Sequence, residues 1–314
     1  MGGAPLGGLY TDVSEDSADA TIERCFSLGL NLFDTAPMYG AGKSETRLGR
    51  TLSKRPRDSF VIATKVGFDL APFAPGCKEE ILFPFDNAPP LRPVSDFSYD
   101  GALRSIDGSL KRLRLNRVDV LYVHEPTGFY EQSLQGALQA LLKLRREGVV
   151  GAVGVAMNQS EMLARFAREG GCDCFLLAGR YTLIEQGALA ELLPLCLKDK
   201  ISIIIGGPYN SGILATGAKP GAKYNYLDAP MEILQRVQRI EAVCERFAVP
   251  LKAAALQFPL AHPAVASVVP GCASASEIEE NFRMASHSVP SEFWMELRRR
   301  SLVPPEAPLP GENP

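Results

Sequence analysis

No apolar run in this 314-residue sequence approaches the roughly 20 residues of a bilayer-crossing helix; the run at 201–205 is strand-sized. The first thirty residues have neither a basic start nor an apolar stretch, so no secretory signal is read there. Charge of one sign is also lacking. A net charge of −3 gives no electrostatic reason to expect nucleic acid or an anionic membrane as partner. The seven cysteines are odd in number and scattered, which argues for reduced thiols and a cytoplasmic location. Only Cys172 and Cys174 lie close together, and no further ligands accompany them, so no metal site is expected. Two nucleotide signatures fail as well. Gly42-Lys43-Ser44 resembles the end of a phosphate loop, but the required glycine is Pro37, which has no amide to donate. Gly148, Gly151 and Gly154 do not have the spacing of a doubly wound dinucleotide fingerprint.

Three short apolar runs end on polar residues. Residues 31–34 end on Asp34, 60–65 on Lys65 and 118–124 on His124. Parallel strands that deliver an acid, a base and an imidazole to one end describe a barrel site. Further strands are expected at 149–155, 174–177, 201–205 and 267–269. Helices are expected at 16–28, 44–53, 98–113, 131–147, 160–169, 187–198, 231–247, 276–286 and 291–300. Seven strands plus a thin one within 2–9 make an α/β (β/α)8 barrel, of TIM type, with its first strand shortened or missing. A doubly wound sheet is the alternative. The whole of 1–314 is read as one domain, because such barrels exceed the usual domain size. Residues 67–97, rich in Phe, Pro and Gly, read as a long substrate loop, with Phe68, Phe83 and Phe85 as pocket residues. The proline-rich tail at 303–314 reads as extended.

The chemistry of the strand ends follows from elementary acidity. A phenol with a pKa near 10 is a poor base at neutrality, and a nearby ammonium lowers that value. Lys65 is expected to act on Tyr39 in this way, kept charged by Asp34, while His124 orients the reacting oxygen. A phenol so tuned exchanges a proton with a carbonyl or hydroxyl, and a cofactor must then carry the hydride. His262 and His287 read as structural or solvated.

Asp34-Thr-Ala-Pro-Met-Tyr39-Gly, Ser44-Glu45, Lys65, His124, Val269-Pro-Gly271 and Glu280-Asn281 together resemble the aldo-keto reductase superfamily over nearly the whole chain. That resemblance implies an eight-stranded barrel, a nicotinamide cofactor, and catalysis by Asp34, Tyr39, Lys65 and His124. Residues 97–101, 206–214 and the proline-rich C-terminus are similar to the branch of bacterial L-fucose and D-threo-aldose 1-dehydrogenases, to which pyridoxal 4-dehydrogenase and L-galactose dehydrogenase are related. This implies oxidation of a sugar hemiacetal at C1 to a lactone, with a small sugar or aldehyde as substrate. The cofactor residues implied are Asn158, Gly207, Pro208, Gly212, Gly271, Glu277, Glu280 and Asn281. The family's second carboxamide contact falls on Ala178, and its ring-stacking position on Gly206. Gly271 and Glu277 stand where NADP-using relatives carry a lysine and an arginine, so NAD is expected over NADP. The family also starts with a longer segment containing all of its first strand. Residues 2–9 either stand in for that strand or belong to a shortened form, and lower stability than in longer relatives is expected. Three alternatives to aldose oxidation remain: a pyridoxal or other aldehyde dehydrogenase, an NADPH-dependent carbonyl reductase, and a non-catalytic, cofactor-sensing partner subunit.

Overall fold

A computed structural model describes residues 1–73 and 85–312. Its main sheet is parallel and seven-stranded. In sheet order the strands are β1 (Leu32–Asp34), β2 (Val61–Val66), β3 (Val120–His124), β4 (Ala152–Met157), β5 (Cys174–Ala178), β6 (Ser202–Gly206) and β7 (Val265–Val269). Sheet order and chain order coincide, as βα repetition requires. β3 and β4 are buried over nearly their full length, which explains apolar runs without alternation. The eighth strand is reduced to a bridge. Gly2 pairs in parallel with Asp34 at the end of β1 and with Gly271 just beyond β7. Gly2 thus stands where a curtailed first strand would stand.

By backbone contacts the chain forms two compact units. The first comprises 1–157, 168–174 and 271–279; the second comprises 158–167, 175–270 and 280–314. In the first unit, Ser14 caps the helix Glu15–Ser27 by accepting from Ser17 N, and Ser98 caps Tyr99–Leu113 by accepting from Gly101 N. The helix expected at 131–147 is present from 130 to 146, with a π turn at Ser133–Ala137. In the second unit, helices Met231–Phe247 and Ser291–Arg299 stand where expected. Between them is Leu251–Leu260, a helix whose uniform apolarity conceals its period.

Two expectations need correction. The segment 67–97 is not loop throughout. Phe68–Pro72 and Leu91–Ser95 pair antiparallel, Phe68 opposite Ser95 and Pro72 opposite Leu91, so the excursion has a hairpin base. A two-stranded ribbon has edge positions that accept Pro72 and Pro93. Phe83 lies outside the described residues. The tail is not extended. It turns at 304–307 and again at 309–312, burying Val303, Ala307 and Leu309.

Candidate active site

The register of the sheet explains why three strand ends converge. Asp34 lies opposite Ala63, and Lys65 opposite Tyr122. Each functional residue stands two positions beyond its neighbour's partner. Because side chains alternate with a period of two, Asp34, Lys65 and His124 share one face. Tyr39 reaches this group from the loop after β1. That loop is fixed by Tyr39 N donating to Ala36 O and by the left-handed Gly40 (φ +62°), where a Cβ would stand 2.2 Å from Gly7 O. The following helix, Lys43–Leu52, is held in place by its own motif. Ser44 Oγ donates to Gly3 O at 2.7 Å. The fully buried Glu45 accepts from Thr64 Oγ1 and pairs with Arg112.

Lys65 Nζ donates to both oxygens of Asp34, at 2.9 and 2.7 Å, and to Thr35 O at 2.7 Å. Burial pushes the Asp34 carboxyl up and the Lys65 ammonium down, and each is offset by the other's charge. Lys65 Nζ also lies 4.7 Å from the centroid of the Tyr39 ring. His124 meets that ring edge-on at 5.8 Å. Burial, and then the Lys65 charge, hold His124 well below the usual imidazole range, so it is neutral near pH 7. Its buried Nδ1 has no hydrogen-bond partner among the described residues.

The expected lowering of the Tyr39 pKa is not what the structure shows. Burial, then the Asp34 and Glu125 carboxylates, push the phenol well above its usual value. At rest Tyr39 is therefore a proton donor. Glu125 was not singled out from the sequence, although it directly follows His124 at the same strand end. It is half-buried, left-handed (φ +45°), and pinned by its N–H to Ala156 O at 2.9 Å.

Aromatic rings surround the group. Phe85 lies 6.4 Å from Tyr39, and Phe68 lies 6.1 Å from His124. Phe97, edge-on to Phe68, stacks on Phe129 at 5.0 Å. The structure thus brings Phe68 and Phe85 to the tetrad and adds Phe97 and Phe129, which the sequence reading left out.

The expected cofactor residues divide between the units. In the first, Gly271 makes the bridge to Gly2, and a Cβ there would stand 2.9 Å from Pro5 Cγ. Glu277 accepts from Ala273 N at 2.8 Å and gives its own N–H to Ser274 Oγ, so it caps the helix Ala275–Ala285. In the second, Asn158 O accepts from Arg180 Nε at 3.0 Å, Asn281 accepts from Tyr209 OH, and Glu280 pairs with Lys252. Gly207, Pro208 and Gly212 belong to a turn in which Asn210, Ser211 and Gly212 are all left-handed. At Gly212 (φ +102°) nothing lies within 4 Å of the place a Cβ would take. Main chain with open space beside it suits close approach by a dinucleotide, so these residues fit such a group. No cluster of metal-binding side chains occurs among the described residues, and no described helix is long and apolar enough to cross a membrane.

Residues 1–300 match the family model described as the aldo/keto reductase family. The sequence is 40% identical over 307 residues to a D-threo-aldose 1-dehydrogenase from a Pseudomonas species, covering 96% of this chain and 93% of that protein. It is 39% identical over 322 residues to a pyridoxal 4-dehydrogenase from Microbacterium luteolum, with the same coverage. The fold is similar to that of an aldo-keto reductase from Bacillus halodurans in its holo form, with a TM-score of 0.74 at 20% identity, covering 97% of this chain and 91% of that one. With a parallel barrel sheet, an Asp–Lys pair beneath a tyrosine and relatives of this kind, the chain belongs to the aldo/keto reductase family of oxidoreductases acting on CH–OH groups.

Proposed function

We propose that this protein oxidises the C1 hydroxyl of an aldose hemiacetal to a lactone. The carrying observation is the buried Asp34–Lys65 pair beneath the Tyr39 ring, with the unpartnered His124 Nδ1 beside it. The 40% identity to an aldose 1-dehydrogenase supports the substrate class. Once Tyr39 has given its own proton to solvent, the phenolate takes the C1 hydroxyl proton, and His124 binds the same oxygen and orients it. Lys65, held by Asp34, stabilises the phenolate that must be present before the transfer. The nicotinamide cofactor supplies the hydride acceptor. Phe68, Phe85, Phe97 and Phe129 offer apolar faces to the C–H side of a sugar ring and keep water from the reacting carbon.

The cofactor is proposed to be NAD. Asn158 would meet its carboxamide, Gly207, Pro208 and Gly212 would offer main chain to it, and Glu280 and Asn281 would hold the adenine side. The absence of cations at Gly271 and Glu277 disfavours a 2′-phosphate. A cytoplasmic setting is supported by the six described cysteines, all buried thiols; burial raises Cys25 and Cys174 to about 11 and Cys196 and Cys244 to about 12.

A second reading is pyridoxal oxidation or, in reverse, carbonyl reduction. It is favoured by the 39% identical relative and by a phenol that is protonated at rest. NADH formation across L-fucose, L-galactose, D-arabinose and pyridoxal, with NAD and NADP in parallel, separates these readings. Aldose turnover with NAD that is lost in Tyr39→Phe is expected. Cofactor binding without turnover of any substrate would sink the catalytic reading in favour of a sensing subunit.

A further inference from the structure

One guanidinium in the second unit links three segments that the sequence keeps far apart. Arg180 stands two residues beyond β5. Its Nε donates to Asn158 O at 3.0 Å, and its Nη1 donates to Gly179 O at 3.3 Å and to Asn225 Oδ1 at 2.8 Å. Asn225 is at the tip of a short hairpin, Lys223–Tyr224 paired with Leu227–Asp228. Asn225 and Tyr226 are both left-handed, the geometry of a tight two-residue turn. The hairpin has two more ties. Tyr226 N donates to Ser211 Oγ at 3.0 Å, and Tyr224 OH donates to Glu185. Ser211 lies in the 207–212 turn, which Asn210 Nδ2 fastens to Gly179 O at 3.0 Å. Asn158, the 207–212 turn and the hairpin thus form one bonded assembly around Arg180.

We propose that Arg180 is a positioning residue that fixes Asn158 for the nicotinamide cofactor and couples its place to the hairpin at 223–228. The proposal rests on the reading that Asn158 meets the cofactor. A guanidinium suits the task because its donors diverge in a fixed plane, so one group holds the backbone of one element while gripping the side chain of another. An ammonium at the same place carries the charge without that planar fork. Ala178, two residues earlier, has no polar atom on its side chain, so Arg180 is the long polar side chain that leaves the end of β5 toward Asn158. Arg180 itself contacts protein main chain and Asn225, not the reacting atoms, which is why its effect belongs to cofactor affinity.

The test measures NAD affinity by calorimetry on the full chain, together with hydrogen exchange of the hairpin amides in the cofactor-free protein. Arg180→Ala is expected to weaken NAD about tenfold, the scale of one hydrogen bond to a charged group. Asn225→Gly, an exposed change that keeps the left-handed backbone free of strain, is expected to weaken NAD about threefold and to speed hairpin exchange. The two effects should not add, since each breaks the same link. KM for NAD should rise while KM for the oxidised substrate stays constant. Arg180→Lys should restore only part of the affinity. Unchanged NAD affinity in Arg180→Ala, full recovery with lysine, or strictly additive effects with Asn225→Gly would each overturn the proposal. Asn158→Ala separates the underlying reading. If it leaves NAD affinity intact, the assignment of Asn158 to the cofactor fails whatever Arg180 does.

Discussion

Tyr39 keeps its proton at rest because burial and two carboxylates all push its phenol in the same direction. Asp34 is bonded directly to the buried Lys65, whereas Glu125 acts on Tyr39, and more weakly on Lys65, through its charge. Glu125→Gln removes one negative charge facing the phenol and leaves Lys65, Asp34 and His124 in place. The alkaline rise of the oxidation rate with pH should therefore move to lower pH in this variant. A superimposable pH–rate profile would show that Glu125 does not act on Tyr39. His124 makes a separate prediction about stability. Its folded value is depressed by burial from the ordinary 6.5, so below that pH the unfolded chain takes up a proton that the folded chain refuses. Stability tied to His124 is thus complete above about pH 6.5 and falls as pH drops through that value toward the depressed one. Thermal melts at about pH 7.5 and 5.5 should show a smaller acid-side loss in His124→Gln than in the parent. His262, also lowered by burial, has the same sign in both proteins and cancels from the comparison.

At the scale of single elements, the helix Ala275–Ala285 shows how one side chain serves two purposes. Glu277 was read from the sequence as a charge that disfavours NADP. The structure also makes it a capping group, through Ala273 N and Ser274 Oγ. Glu277→Arg should therefore raise the preference for NADP by about tenfold or more, because a hydrogen bond to a charged group contributes about 1.5–3 kcal/mol. It should also cost about 1 kcal/mol in stability through the lost cap. A lower Tm with no change in the NADP to NAD ratio of kcat/KM would leave only the capping role. The Ser274-x-x-Glu277 spacing is that of a capping box and is legible in the sequence. The seven strands were legible because buried parallel strands read as continuous apolar runs, and the tetrad because three such runs end on polar residues. The 68–72 and 91–95 ribbon was not, since Pro72 and Pro93 read as breakers while an isolated ribbon tolerates them. The hairpin at 223–228 has two-residue strands and no glycine at its turn, so it has neither alternation nor a turn signal. Arg180 was illegible for a different reason. Its importance comes only from where Asn158 and Asn225 return in space.

At the scale of the whole molecule, the N-terminal residues tie distant parts of the chain together. Gly2 bridges Asp34 and Gly271, and the backbone around it is laced to β1: Gly3 N donates to Asp34 O at 2.7 Å, and Asp34 N donates to Met1 O at 3.0 Å. The strand end that presents the catalytic candidate Asp34 is therefore held on one side by β2 and on the other by three N-terminal residues. This arrangement leaves no room at Gly3. A Cβ there would stand 2.7 Å from Asp34 O and 2.7 Å from Ser44 Oγ, and neither is the far end of a flexible chain, because Ser44 Oγ is itself bonded to Gly3 O. Gly3→Ala must shift either the N-terminal segment or the end of β1. Overpacking of this kind costs about 1–3 kcal/mol, so a clear drop in Tm is expected. If the end of β1 yields, the Asp34 carboxylate moves against Lys65, and kcat falls along with stability. If only the N-terminal segment yields, Tm falls and kcat is kept. Measuring both on Gly3→Ala distinguishes the two responses, and an unchanged Tm would show that the bridge at Gly2 does not contribute to holding the sheet together.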